Sequence, residues 1–345
     1  MIYIVTVYDS LNYGSYFQAI ALQKEAVQYG KTLFIDIKHQ STLKQSIVKM
    51  VGHLLKGRYK GIHFELKKWQ MFKCKAKSLP VIREGEIVEK ADDIYIMGSD
   101  EIWNVSRKKF LKSKEFWGIG LKKGKRISYA PSINTATKEQ YIERPDLLAA
   151  IESFDSLSVR DEYSKDILEK LIECKINLVS DPVFLYGVEK FKRMEKEPKE
   201  REPYILVYTY GRMCKTAEQI DHIRRAAHRL GLKVISVGKY LKWADKSLNA
   251  TPEEFLGYIH RAEYIVTDTF HGTVFSILYR KNFVVINPAN KIKDLLNRFG
   301  LTSRCIMNTS QLTGLLAIVV DYRIADFMQK GETEASRDYL KKAVE

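Results

Sequence analysis

His271 is the residue best suited to moving a proton, because imidazole changes charge near neutral pH without any special environment. It stands in the run Val266-Thr267-Asp268-Thr269-Phe270-His271-Gly272-Thr273. An apolar strand ends there, a tight turn follows, and a helix carrying Val274, Phe275, Ile277 and Leu278 begins. Backbone N–H groups in the first turn of a helix have no intrahelical acceptor. Those near Gly272 and Thr273, beside Thr269, are therefore expected to face an anion, reinforced by the helix dipole. The plainer reading of His271 is a histidine that caps or packs at a helix start.

Three further segments place polar side chains just after a strand. In Met97-Gly98-Ser99-Asp100-Glu101-Ile102-Trp103-Asn104, Gly98 permits a sharp turn and Ser99 and Asp100 project from the strand end. Asp100 could accept a proton there. Trp103 and Asn104 offer a flat face and an amide suited to a sugar, unless the tryptophan belongs to the core. The first loop, Asp9-Ser10-Leu11-Asn12-Tyr13-Gly14-Ser15, brings Asp9, Asn12 and Gly14 to the same kind of position. In Ser158-Val159-Arg160-Asp161-Glu162, Arg160 ends a strand. Its planar fork could grip a carboxylate or phosphate, or pair with Asp161 or Glu162.

Positioning these groups requires strands that all end on one side. Short apolar, β-branched runs alternate with helical patterns: Ile2–Val7, Leu33–Ile37, Ile94–Met97, Ile127–Ala130, Leu157–Val159 and Leu178–Val179, with helices over Ser15–Gln28 and Tyr163–Glu173. The polar stretch Lys192–Pro203 is expected to link two domains, 1–191 and 204–345. Beyond it come strands Tyr204–Tyr210, Val234–Val237, Tyr264–Thr267 and Phe283–Ile286. Helices over Lys215–Leu230 and from Pro252 and His271 alternate with them. Thr251, Pro252 and Glu254 form a capping box with proline in the first helical position. The pattern predicts an α/β protein of two Rossmann-like domains facing across a cleft, with ligands at the carboxyl ends of the strands. The terminal helices could pack back on the first domain. Between about 41 and 77 the alternation breaks, and Val48, Val51, Leu54 and Leu55 suggest an inserted basic amphipathic helix.

The 345-residue chain carries a formal net charge of +15. From Lys38 to Lys77 the single acid is Glu65, and from Arg107 to Arg126 it is Glu115. Such stretches attract polyanions or an anionic membrane surface, or serve as a solvated face. Neither a nucleic-acid motif nor basic residues interleaved with stacking aromatics accompany them, so a polyanion-binding protein without catalysis is the weakest of the functional readings. The four cysteines are far apart, with no C-x-x-C pair, which argues against a disulfide scaffold or a zinc site. The opening residues lack a basic n-region and the run Leu315–Val320 is too short to span a bilayer, so a cytoplasmic protein is expected.

Taken in order, these segments resemble the landmarks of the polysaccharide pyruvyl transferase family. Asn12-Tyr13-Gly14, Gln18 and Ala21-Leu22-Gln23 resemble its N-x-G…Q…A-L-Q opening. Gly98-Ser99-Asp100-Glu101-Ile102-Trp103-Asn104 resembles G-S-D-Q-x-W-N. Ser158-Val159-Arg160-Asp161 and Asp181-Pro182 resemble S-x-R-[ED] and D-P, and Thr269-Phe270-His271-Gly272-Thr273 resembles [ST]-F-H-G-[ST]. The resemblance implies a GT-B-like fold and transfer of a pyruvyl group from phosphoenolpyruvate, the donor substrate, to a sugar as a ketal, with no metal or other cofactor. It makes His271 and Arg160 the matching site residues. A sugar or lipid-linked oligosaccharide would be the acceptor. Better-studied members often have Arg-Leu-His where this chain has Thr269-Phe270-His271. The missing guanidinium would then be replaced by one of Arg280, Lys281, Lys291, Lys293, Arg298 or Arg304. A nucleotide-sugar glycosyltransferase of the same architecture is the alternative, and it would need a base-and-ribose pocket.

Overall fold

Apolar runs with few polar interruptions form strands buried on both faces, and this chain supplies them twice. The computed structural model describes residues 1–37 and 42–345, so the start of the basic stretch, 38–41, lies outside the described residues. In the first lobe β1 (Ile2–Val5), β2 (Thr32–Asp36), β3 (Val81–Arg83), β4 (Ile94–Met97) and β5 (Lys125–Ser128) pair in parallel in the order β3-β2-β1-β4-β5. A short parallel pair, β6 (Leu157–Val159) and β7 (Ile176–Leu178), extends this lobe through a bridge between Ile127 and Ser156. The second lobe holds β8 (Tyr204–Tyr208), β9 (Lys233–Val237), β10 (Lys246–Leu248), β11 (Tyr264–Thr267), β12 (Asn282–Ile286) and β13 (Cys305–Ile306). Their order is β10-β9-β8-β11-β12-β13, again parallel.

Strand order decides where ligands can sit. In each sheet the connections run outward in opposite directions from two central neighbours, β1 and β4 in one lobe and β8 and β11 in the other. Loops leaving such neighbours splay apart and open a crevice at the carboxyl edge. The first-loop and Gly-Ser-Asp segments therefore meet at one switch point. The Thr209–Met213 loop and the His271 turn meet at the other.

The lobes share a core. Phe17 lies edge-on to Phe191 and Phe275, with ring centroids 5.5 and 5.4 Å away, and Tyr13 stacks on Phe255 at 4.4 Å. The expected linker is held in place: Lys196 N donates to Glu253 O at 2.9 Å, and a Cβ on Gly257 would come within 2.0 Å of Lys196 O. The final helix, Arg323–Val344, returns to the first lobe, where Leu340 and Ala343 pack with Ile2 and Ile4 and Tyr339 donates to Ser128 O at 2.8 Å.

The inserted segment differs from the single helix that its apolar spacing suggests. It forms two helices, Thr42–Leu54 and Tyr59–Lys77, broken where Gly57 takes a left-handed backbone (φ 61°). The second crosses to the far lobe. Its Phe72 enters the shared core, Lys75 pairs with Glu253 at 2.5 Å, and Asn249 donates to Phe64 O at 2.6 Å.

Candidate active site

Arg160 is the centre of the site. It leaves β6 at 1% exposure, buried against the ring of Phe270 with its guanidinium carbon 4.4 Å from the centroid. Nη1 donates to Asp181 Oδ2 at 3.0 Å, and Nη2 lies 3.8 Å from Asp100 Oδ1. Across the cleft His271 brings its Nε2 to 3.5 Å from the same Asp181 oxygen. Burial alone would raise the Asp100 carboxyl. Arg160, His271, Lys291 and the Ser15 hydroxyl (2.7 Å from Oδ2) outweigh it and hold the group well below the usual carboxylate range. Asp181 follows the same logic: burial would raise it, while His271, Arg160 and the Val183 N–H bring it down.

Each carboxylate is fixed by local sequence. Asp181 caps the helix Pro182–Tyr186 by accepting from Val183 N at 3.0 Å, and Pro182 fills the first helical position, where no N–H is missed. The residue before it is clamped by the returning helix, since Ser180 N donates to Ser336 Oγ at 2.8 Å. Asp100 follows Gly98 (φ 133°), where any Cβ would meet Tyr129 O at 2.0 Å, and itself adopts a left-handed backbone (φ 74°). Buried Gln18 ties this turn to the first loop: it accepts from Ser99 N at 3.3 Å and donates to Ser15 O at 2.9 Å. Asn12 caps the helix Tyr13–Ala26 through Gly14 N at 2.8 Å, and the hydroxyls of Tyr208 and Tyr210 reach the same Asn12 oxygen from the other lobe.

These groups surround a cavity of about 670 Å³ whose wall includes Asn12, Asp100, Arg160, His271 and Lys291. Arg160 Nε and Nη2 and His271 Nε2 are buried and make no hydrogen bond among the described residues. Leaving a buried donor unpaired costs about 1–3 kcal/mol. The two Arg160 nitrogens, on a side chain that lines the cavity, are accordingly read as contacts for an anionic ligand.

The structure corrects several sequence expectations. Trp103 is 0% exposed, packs against Trp117 and Phe154 and donates to Phe116 O at 3.0 Å, so it presents no face to a sugar. Asn104 is equally buried, with its amide on Glu101 at 3.3 Å, and Ser99 accepts from Asp100 N at 2.6 Å. The amides expected to hold an anion are already used: Gly272 N donates to Thr269 Oγ1 at 2.9 Å and Thr273 N to Thr269 O at 3.1 Å. Thr269 is thus the helix cap. Asp9 is not part of the cavity wall, and Asp100, stabilised as an anion, is a poor proton acceptor. Of the six cations considered as replacements for the missing guanidinium, Lys291 lines the cavity, 5.7 Å from the Phe270 ring. Arg280 pairs with Asp326 and Arg298 with Glu332, while Arg304 is taken up by carbonyls such as Phe283 O. Gly14 is required by contact. A Cβ there would fall 2.3 Å from the His271 ring. Arg212 of the cavity wall was not singled out in the sequence, Lys291 was one of six candidate cations, and Asp181, which pairs with Arg160 and His271, had only the D-P pair to signal it.

Two Rossmann-like lobes closing on such a cleft define a GT-B-like α/β protein. The chain belongs to the polysaccharide pyruvyl transferase family, whose model matches residues 12–290. Among solved structures it is similar to an α,α-trehalose-phosphate synthase (UDP-forming) from Burkholderia xenovorans in complex with glucose-6-phosphate, at TM-score 0.52 and 8% identity, covering 100% of both chains. It is also similar to UDP-GlcNAc 2-epimerase from Methanocaldococcus jannaschii, at TM-score 0.51 and 11% identity, covering 93% of each. At such identities these likenesses concern the fold alone. No curated protein matches in sequence.

Because Gly14 is pressed against the imidazole, Gly14→Ala is expected to displace His271 while the lobes remain folded. Imidazole NMR resonances should shift with little change in the unfolding midpoint. Unchanged resonances would show that the contact does not position the ring.

Proposed function

We propose that the protein transfers a pyruvyl group from phosphoenolpyruvate to two hydroxyls of one sugar, forming a cyclic ketal in surface or exopolysaccharide biosynthesis. The observation that carries this reading is the meeting, in one cavity, of a buried guanidinium with two nitrogens lacking hydrogen bonds and an imidazole paired with a buried carboxylate. Arg160 and Lys291 would hold the donor's carboxylate and phosphate, the first by fork geometry and the second as a point charge.

Protonated His271 would give its proton to the methylene carbon of the donor, leaving cationic character at the central carbon. The first sugar hydroxyl adds there and returns its proton to the now neutral imidazole. Phosphate then departs with the electrons of its C–O bond. The second hydroxyl closes the ketal, and its proton leaves with the phosphate. One proton enters the methyl group, two leave the hydroxyls, and hydrogen phosphate is released. Asp181 would hold the imidazole in place. Asp100 serves this scheme by anchoring Arg160, not as the base.

For the acceptor, a lipid-linked oligosaccharide fits the inserted helices, and with it a cytoplasmic enzyme peripheral to the inner membrane. The helix Thr42–Leu54 carries no acid, and it exposes Leu43, Ile47, Val48, Val51 and Leu54, with Leu55 just beyond at 82% exposure. Lys44 and Lys49 lie in the same helix, and Lys56 and Arg58 follow it in the chain. Such a surface suits the interface of an anionic bilayer. No helix among the described residues is long and apolar enough to cross a membrane.

Incubation with phosphoenolpyruvate and a panel of free and lipid-linked glycans should yield a pyruvate adduct by mass spectrometry. His271→Ala should lower its rate at least ~10²-fold. An unaltered rate would remove the histidine from the chemistry. In vesicle sedimentation, the protein should prefer anionic over neutral lipid, and Val48→Asp with Leu55→Asp should abolish the preference. Equal partition would discard the membrane contact.

A further inference from the structure

A second cavity, of about 600 Å³, opens between the inserted helices and the carboxyl ends of β8 and β9. Its wall gathers six cationic side chains: Lys49, Lys56, Arg58, Lys68, Lys239 and Lys242. The one carboxylate in that wall is Glu65, whose Oε2 lies 3.7 Å from Lys49. Six basic groups against one acid leave a clear positive excess, concentrated in a concave space where field lines are focused. A solvated basic surface has no need of this arrangement. Lys68 is buried and donates to Gly238 O at 2.5 Å, at the floor formed by the end of β9. A Cβ on Gly211 would meet Lys239 Nζ at 2.3 Å, so that amine is pressed onto the backbone leaving β8. The acid of the second lobe that acts on Lys239 is already engaged: Asp268 accepts from Thr209 Oγ1 and from the N–H groups of Tyr210, Arg212 and Met213 at 2.7–3.0 Å. Burial, followed by repulsion from Lys49, pushes the Lys68 amine down to about 7, and burial also lowers Lys239. Both shifts are what an anion would reverse.

The two cavities adjoin. Lys49 and Tyr210 belong to both walls. A ligand could therefore place a sugar before His271 and an anionic group among the lysines.

We infer that this cavity is a second anion site that holds the diphosphate of a diphosphate-linked sugar acceptor. Its charge exceeds what one monoanion would neutralise, and its place at the carboxyl ends of parallel strands is where phosphates bind in this architecture. The acceptor role rests on the proposed pyruvyl transfer; the binding of diphosphate does not. Flat side chains in the same wall, Tyr240 and Trp243, could meet either a nucleobase or a lipid chain beyond the diphosphate.

Calorimetric titration of the full chain with pyrophosphate, in the presence of saturating phosphoenolpyruvate, tests this directly. Wild type should bind. Lys56→Ala with Lys242→Ala, both exposed and harmless to folding, should weaken binding by about tenfold or more, as expected for lost charged contacts. Lys239→Ala should do the same, and His271→Ala should leave binding intact. Comparison of uridine diphosphate with farnesyl diphosphate then identifies the group beyond the phosphates by whichever binds tighter than pyrophosphate. The inference is overturned if wild type fails to bind pyrophosphate, if the lysine variants bind it normally, or if phosphoenolpyruvate displaces it. Binding without any pyruvate adduct on any glycan would leave the cavity's role as an anion site intact and refute the transfer chemistry instead.

Discussion

A guanidinium cannot be buried without carboxylates, and the rest of this site follows from that constraint. Arg160 has two, Asp181 in hydrogen-bond contact and Asp100 just beyond it. Together they fix the charge, but Nε and Nη2 are left without a hydrogen bond on a side chain that lines the cleft. His271 shares Asp181 with it, so imidazole and guanidinium are registered to one oxygen although they come from different lobes. Removing both carboxylates would strand a buried positive charge, a loss typically of about 3–5 kcal/mol or more.

The scaffold exists to bring that cluster together. Arg160 and Asp181 leave the short pair β6 and β7, Asp100 leaves β4, and His271 leaves β11. All four positions lie after carboxyl ends of parallel strands. The lobes are not free to drift apart, because aromatic rings from both form one core beneath the cleft. The final helix adds a brace behind the site: Arg298 reaches Arg160 O at 3.2 Å and also contacts Glu332. The chemistry and the inter-lobe packing therefore depend on the same contacts.

Much of this was legible in the sequence wherever a local cause sufficed. Parallel strands buried on both faces read as apolar runs, and the Thr251-Pro252-Glu254 start appears in the fold as a capping box. His271 and Arg160 were visible because each follows a strand. Trp103 was misleading for a physical reason. Its exposure depends on Trp117 and Phe154, which no local pattern ties to it. The N–H groups after Thr269 looked available because helix starts generally leave them so, yet Thr269 is a threonine and caps its own helix. The break at Gly57 could have been read from the glycine; the crossing of the second inserted helix to the far lobe could not, since it rests on contacts between distant segments. Lys291 was one of six cations, and only the path of the chain after β12 separates it from the rest.

The central claim is that the open side of Arg160, beside His271, is the seat of the donor's negative charge. A crystal structure of the protein soaked with phosphoenolpyruvate tests it most directly. The expected result is donor density with oxygens on Arg160 Nε or Nη2 and on Lys291, and the methylene carbon turned toward the His271 ring. Density seated elsewhere, with the Arg160 nitrogens still unpaired at saturating donor, would contradict the account.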